Sequence, residues 1–227
     1  MGMSRGKRGV RGRWWGWCAL LLFPVLTAAA AGLPPVEAVL RELEKRYGGA
    51  QFAAEFLQES TIRSMEITDF AAGRLYVRHP GMMRWEYEKP ERQVIITDGK
   101  TLWIHRPQDN LVMTGSAPAF FRDGKGASFL SDISLVRRKF DITLAQAEGE
   151  YLYELKLTPR ERGSLNLAEV LLYVTPRAHH IVRIVTRNEL GDDTRIDILQ
   201  PQFNVNLDPS LFRFEIPPGA DVQKIEE

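Results

Sequence analysis

Asp98-Gly99-Lys100-Thr101 is the stretch that most resembles reactive chemistry, because it reads as the tail of a phosphate-binding loop. In such a loop a glycine-rich turn cradles phosphates with backbone N–H groups, and the lysine reaches the outer phosphates. The pattern also requires a glycine at the position that here is Val94, inside an alternating apolar stretch, so no phosphate loop forms. Asp-Gly favours a type I′ hairpin turn instead, and Lys100 and Thr101 read as hairpin residues.

The histidines are His79, His105, His179 and His180. Adjacent residues on a strand point to opposite faces, so His179 and His180 are not expected to share a metal ion. The sequence has no His-Glu-x-x-His, no Gly-x-Ser-x-Gly and no thiol outside the leader described below. The usual zinc and hydrolase patterns are therefore absent, and the expectation is a protein that is not an enzyme, with no catalytic residue, metal or cofactor.

What is abundant is large, soft, apolar surface. Phe52, Phe56, Leu75, Val77, Met83, Trp85, Ile95, Trp103, Phe120, Phe121 and Phe129 come from the hairpin half and the insert together. Most of them suit an ordinary core. A curved sheet of many strands encloses more volume than side chains need fill, so part of this surface is expected to line a ligand cavity.

The elements that position these residues follow from periodicity. "VEAVLRELEKRY" places Val36, Val39, Leu40, Leu43 and Tyr47 at helical spacing between Pro34-Pro35 and Gly48-Gly49, which predicts one amphipathic helix. The period then changes to two: "FAAEFLQESTIRSMEI", "GRLYVRHP", "MMRWEYEKP" and "QVIITDGKTLWIHRP" read as strands of an antiparallel sheet. Between Met113 and Val136 the alternation lapses into what reads as short helices and loop, a lid over the sheet or a helix packed in its core. Strands resume at "KFDITLAQAEG", "EYLYELKLTPR", "LAEVLLYVTPR", "HIVRIVTRNEL" and "DTRIDILQPQF", and "LDPSLFRFEIPPGADVQKIEE" adds a turn, a short strand and a polar tail. The expected fold is mainly β with some α: one antiparallel sheet of about 11 strands curved into a barrel or half-barrel, with a helical insert.

Export is written at the N-terminus. Arg5, Lys7, Arg8, Arg11 and Arg13 precede an apolar run from Trp14 to Leu26 and an alanine tract, the order of a secretory signal peptide, with cleavage expected after Ala31. The run is shorter than the roughly 20 residues a membrane-spanning helix needs. Cys18, the one cysteine, lies within it, so residues 32–227 have no thiol or disulfide and are expected to form a single domain in a bacterial periplasm. Loss of the five leader cations turns the formal charge of +1 into −4. A mildly acidic chain without a basic run is not expected to bind nucleic acid.

These residues resemble the LolA family of periplasmic lipoprotein carriers over nearly the whole of residues 32–227. The strongest block is "GRLYVRHPGMMRWEYEKPERQVIITDGKTLW", which is similar to the family's run of Gly, strand, Pro, Trp, Pro, strand and Asp-Gly-Lys-x-Leu-Trp; "FLQES" and "FRFEIPPGADV" fall where the family has similar segments. The resemblance implies an unclosed antiparallel β-barrel with a helical lid over an acyl-chain cavity, with Met83, Trp85 and Ile95 on positions that face the cavity and Phe129 on the lid; from the apolar surface above, Phe56, Leu75 and Trp103 are expected to line the same cavity. It implies a monomer that takes outer-membrane lipoproteins from an ATP-driven lipoprotein-releasing complex of the inner membrane and passes them to an outer-membrane acceptor. The family's lid-latching Arg-Pro reads here as Arg78-His79-Pro80, so the resemblance assigns the latch to His79 or Arg78. A lipid- or lipoprotein-sensing regulatory module of the same fold, and a carrier of free lipid, are the alternatives.

Overall fold

The computed structural model describes residues 32–118, 130, 133–161 and 167–225. The leader, and Phe120, Phe121 and Phe129 of the insert, lie outside the described residues.

Helix α1 (Val36–Tyr47) begins behind Pro35 and ends at Gly48. Its first turn carries Glu37 and its last Lys45 and Arg46, charges that complement the helix dipole. Val39, Leu40, Leu43 and Tyr47 form its buried stripe. Six strands follow: β1 (Gln51–Ile62), β2 (Ile67–Arg78), β3 (Met82–Lys89), β4 (Gln93–Asp98), β5 (Thr101–Arg106) and β6 (Leu111–Ser116). Of the insert, the short helix α2 (Ser134–Lys139) is described. Then come β7 (Phe140–Gln146), β8 (Tyr153–Pro159), β9 (Glu169–Val174), β10 (Ile181–Arg187), β11 (Asp193–Phe203) and β12 (Asp221–Lys224). No described helix is long and apolar enough to cross a membrane.

All twelve strands belong to one sheet in the order β12-β6-β5-β4-β3-β2-β1-β11-β10-β9-β8-β7. Two hairpin meanders run outward from a seam where β1 pairs antiparallel with β11. The edge strands β12 and β7 are not neighbours, so the sheet stays unclosed, and only β12 runs parallel to its partner β6. The sequence led to about eleven strands, and two segments account for the difference. Strands β6 and β12 lack strong alternation and are held by pairing, whereas the alternating "FRFEI" is not a strand: Pro209–Phe212 forms a 3-10 turn and residues 213–217 run irregularly.

The Asp98-Gly99 hairpin is present between β4 and β5. Asp98 Oδ1 accepts from the N–H groups of Lys100 at 2.8 Å and Thr101 at 2.7 Å, and Gly99 takes φ +90°. These bonds satisfy turn donors that a phosphate would otherwise meet.

One face of the sheet carries the main core. Phe52 and Phe56 of β1, Leu75 and Val77 of β2, Met83 and Trp85 of β3, and the aliphatic rows of β8 to β11 join α1 and the insert residues Leu130, Ile133 and Val136 in a single cluster. Tyr47 closes the end of α1 over this face. Its ring packs edge-on against Phe52 and Phe203, and its hydroxyl oxygen accepts from the Ile181 N–H at 2.8 Å. Burial pushes the pKa of Tyr47 up.

Candidate functional site

Strand register brings five of the expected wall residues together. Trp85 lies opposite Leu75 on β2 and Ile95 on β4, while Met83, two residues away on the same face, lies opposite Val77 and Thr97. Phe56 pairs with Gly73, and the space left by the missing side chain lets its ring turn toward β3. It packs edge-on against Trp85 (centroids 4.9 Å apart) and Tyr87 (5.0 Å). Phe56, Leu75, Met83 and Trp85 are at most 3% exposed, and Ile95 is partly buried against the same cluster.

The polar atoms of this wall are few. The Tyr87 hydroxyl donates to Gln58 Oε1 at 3.0 Å, and burial raises its pKa to about 12, so it stays neutral in ordinary solution. Thr97, the one buried polar residue among those described, accepts from the Gly99 N–H at 2.9 Å. The indole nitrogen of Trp85 is buried without a hydrogen-bond partner among the described residues.

Trp103 does not join the wall. It lies opposite Ile96, while Leu102 and Ile104 take the face shared with Thr97 and Ile95. The Trp103 ring instead stands 6.4 Å from Phe214, which also lies 5.3 Å from His105. Both faces of "TLWIHR" carry an apolar residue, so alternation alone does not say which face is inward; the pairing with β4 decides it.

The described contacts of the two residues expected to latch the lid lie outside the insert, most of which is not among the described residues. Arg78 donates from Nη1 to the Leu207 carbonyl at 3.2 Å, tying β2 to the segment after β11. His79 donates its backbone N–H to the Ala50 carbonyl, and its buried Nδ1 has no partner among the described residues. Arg84 ties the same C-terminal segment down by donating to the Leu211 carbonyl at 3.1 Å. The charged tie between α1 and the described part of the insert is Arg137 of α2, bonded to both Glu37 and Glu44. Local sequence carries no signal for such a pairing, because its partners are far apart in the chain.

Residues 49–215 match the family model of LolA, described as outer membrane lipoprotein carrier protein. The chain belongs to this family. A relative from Chromobacterium violaceum, named outer-membrane lipoprotein carrier protein, is 33% identical over 88% of this chain and 97% of its own. One of the same name from Azotobacter vinelandii is 26% identical over 87% and 95%. Among solved structures, a conserved protein of Thermus thermophilus superposes with a TM-score of 0.53 at 16% identity, over 83% of this chain and 98% of that one. MucB gives 0.50 at 16% identity, over 79% of this chain and 62% of MucB. These two likenesses show a shared fold and nothing finer.

Proposed function

We propose that this chain is a periplasmic carrier that shelters the acyl chains of lipoproteins against the face built by Phe56, Leu75, Met83, Trp85 and Ile95. Residues 1–31 direct export and are removed, leaving residues 32–227 as the working domain. The observation that carries the proposal is the composition of the covered face. It is a continuous aromatic and aliphatic wall, roofed by α1 and by insert residues, with no charged side chain buried on it among the described residues. Such a wall suits hydrocarbon, offers nothing to ionic chemistry, and, with Met83 in it, can adapt to chains of varied shape.

Energetics requires that such a carrier work with partners. Three acyl chains of about 16 carbons hold roughly 45 methylenes, and at about 0.8 kcal/mol each they represent on the order of 35 kcal/mol of membrane attachment. Non-covalent affinities saturate near about 20 kcal/mol. Extraction therefore requires an outside source of energy, and the Asp98-Gly99 turn, its backbone donors already satisfied, supplies none. The proposed route has an ATP-driven inner-membrane complex as donor and an outer-membrane acceptor as receiver.

The test is to add the exported chain to spheroplasts of a cell with a compatible donor complex and to fractionate. The expected result is lipoproteins in the soluble fraction, bound to the chain. Retention of lipoproteins in the membrane while the chain extracts free lipid would establish the free-lipid alternative instead.

A further inference from the structure

Trp85 is a costly choice for a purely hydrocarbon wall. Phenylalanine would fill the same position without a donor, whereas the indole N–H of Trp85 is taken out of water and given no acceptor by the described residues. Burying a donor unpaired is unfavourable, so such a group calls for an explanation beyond packing. The ring cannot readily turn the N–H away, because Phe56 abuts it at 4.9 Å and Leu75 and Ile95 flank it on the neighbouring strands. Nor do nearby polar groups offer relief. Tyr87 donates to Gln58 and Thr97 accepts from the Gly99 N–H, and neither oxygen of these pairs meets the indole N–H of Trp85.

We propose that the Trp85 N–H is the polar anchor of the covered face and donates to the ester carbonyl at the head of a bound fatty-acyl chain. The inference rests on the carrier reading and deepens it. A plain hydrocarbon has no acceptor to offer. A phosphate is excluded by its charge, because the one buried polar residue among those described is Thr97 and no cation accompanies it. A neutral carbonyl attached to an alkyl chain satisfies the donor without bringing charge into an apolar site. Trp85 then does two things: its ring packs against the chain, and its N–H fixes the depth at which the acyl head rests.

The test compares dioctanoylglycerol with its dioctyl ether counterpart, which keeps the hydrocarbon and lacks the carbonyls. The chain is purified from the periplasm with its tryptophans labelled at the indole nitrogen, and Trp103→Phe assigns the Trp85 resonance. The ester is expected to bind about tenfold more tightly than the ether and to move the Trp85 indole proton downfield, which the ether does not do. Trp85→Phe is expected to bring the ester down to the ether's affinity. Equal affinities of the unsubstituted chain for both lipids, without an ester-specific shift, would overturn the anchor and leave the carrier reading standing. Binding of neither lipid would overturn both. The ester-to-ether comparison in the unsubstituted chain needs no variant, so the inference can be judged even if Trp85→Phe fails to fold.

Discussion

Arg137 and Glu44 join α2 to α1 across 93 positions of sequence: the Arg137 Nε donates to Glu44 Oε1, and Nη1 of the same guanidinium donates to Glu37. One planar cation thus spans two carboxylates about two turns apart on α1, a geometry that suits the guanidinium fork better than a lysine. Arg137 is about a third exposed and Glu37 more than half. Exposed pairs of this kind contribute about 1 kcal/mol or less. Arg137→Ala is therefore expected to speed amide exchange in α1 and α2 by about fivefold while leaving the central strands β1, β2 and β11 unchanged. Added salt should narrow the difference between the two proteins. Equal exchange in the variant and the parent would show that apolar packing alone holds these helices together.

Gly73 is predicted to tolerate no side chain. A Cβ there would lie 1.9 Å from the Glu86 carbonyl oxygen and 3.0 Å from Phe56 Cε1, and the first of these is backbone that cannot swing aside. The strand register shifts between Ala72 and Gly73, which brings β3 unusually close at this point. Gly73→Ala should cost about 1–3 kcal/mol, the usual range for overpacking. Chemical unfolding would show a lower midpoint with an unchanged slope.

Parity on β3 could be read because "MRWEYE" alternates after a Pro-Gly corner, which puts Met83 and Trp85 on one face; strand pairing sets Leu75 opposite Trp85, and Phe56 packs against it. The Asp98-Gly99 turn and α1 were legible for the same reason: their chemistry is local. Trp103 was not, since only pairing with β4 orients its two-sided strand. The C-terminal segment was misjudged for a similar reason. "FRFEI" has the alternation of a strand, yet its neighbours are claimed by side chains, with Phe214 against Trp103 and Arg84 on the Leu211 carbonyl. The polar "DVQK" becomes β12 through its parallel pairing with β6. The latch expected at Arg78 or His79 depends on contacts with an insert that lies mostly outside the described residues; the described partner of Arg78 is the Leu207 carbonyl of the C-terminal segment.

His180 gives stability a pH dependence whose sign can be worked out. Its ring stacks on Phe203 at 4.8 Å. Desolvation first, then the nearby Arg46 and His179 charges, hold its pKa below the ordinary 6.5. The folded chain therefore favours the neutral ring, and the unfolded chain takes up the proton first. This contribution is complete above about pH 6.5 and is lost as the pH falls through that value toward the depressed folded one. Unfolding midpoints should decline more steeply between about pH 7 and about pH 5 in the parent than in His180→Gln. Parallel profiles would assign the decline to other groups.

Trp103 is predicted to act on the C-terminal segment and not on the ligand. Its ring faces Phe214 from the side of the sheet opposite Trp85, so Trp103→Ala should loosen residues 204–217 without altering the apolar wall. A double-mutant cycle with Phe214→Ala should return a coupling of about 0.5 kcal/mol or more, as aromatic neighbours usually do. Limited proteolysis should cut Trp103→Ala first in that segment, while lipid affinity matches the parent. The opposite pattern, an intact segment with lipid affinity lost, would place Trp103 at the ligand after all. The comparison separates the two faces of β5, because Leu102 and Ile104 on the inner face remain in both proteins.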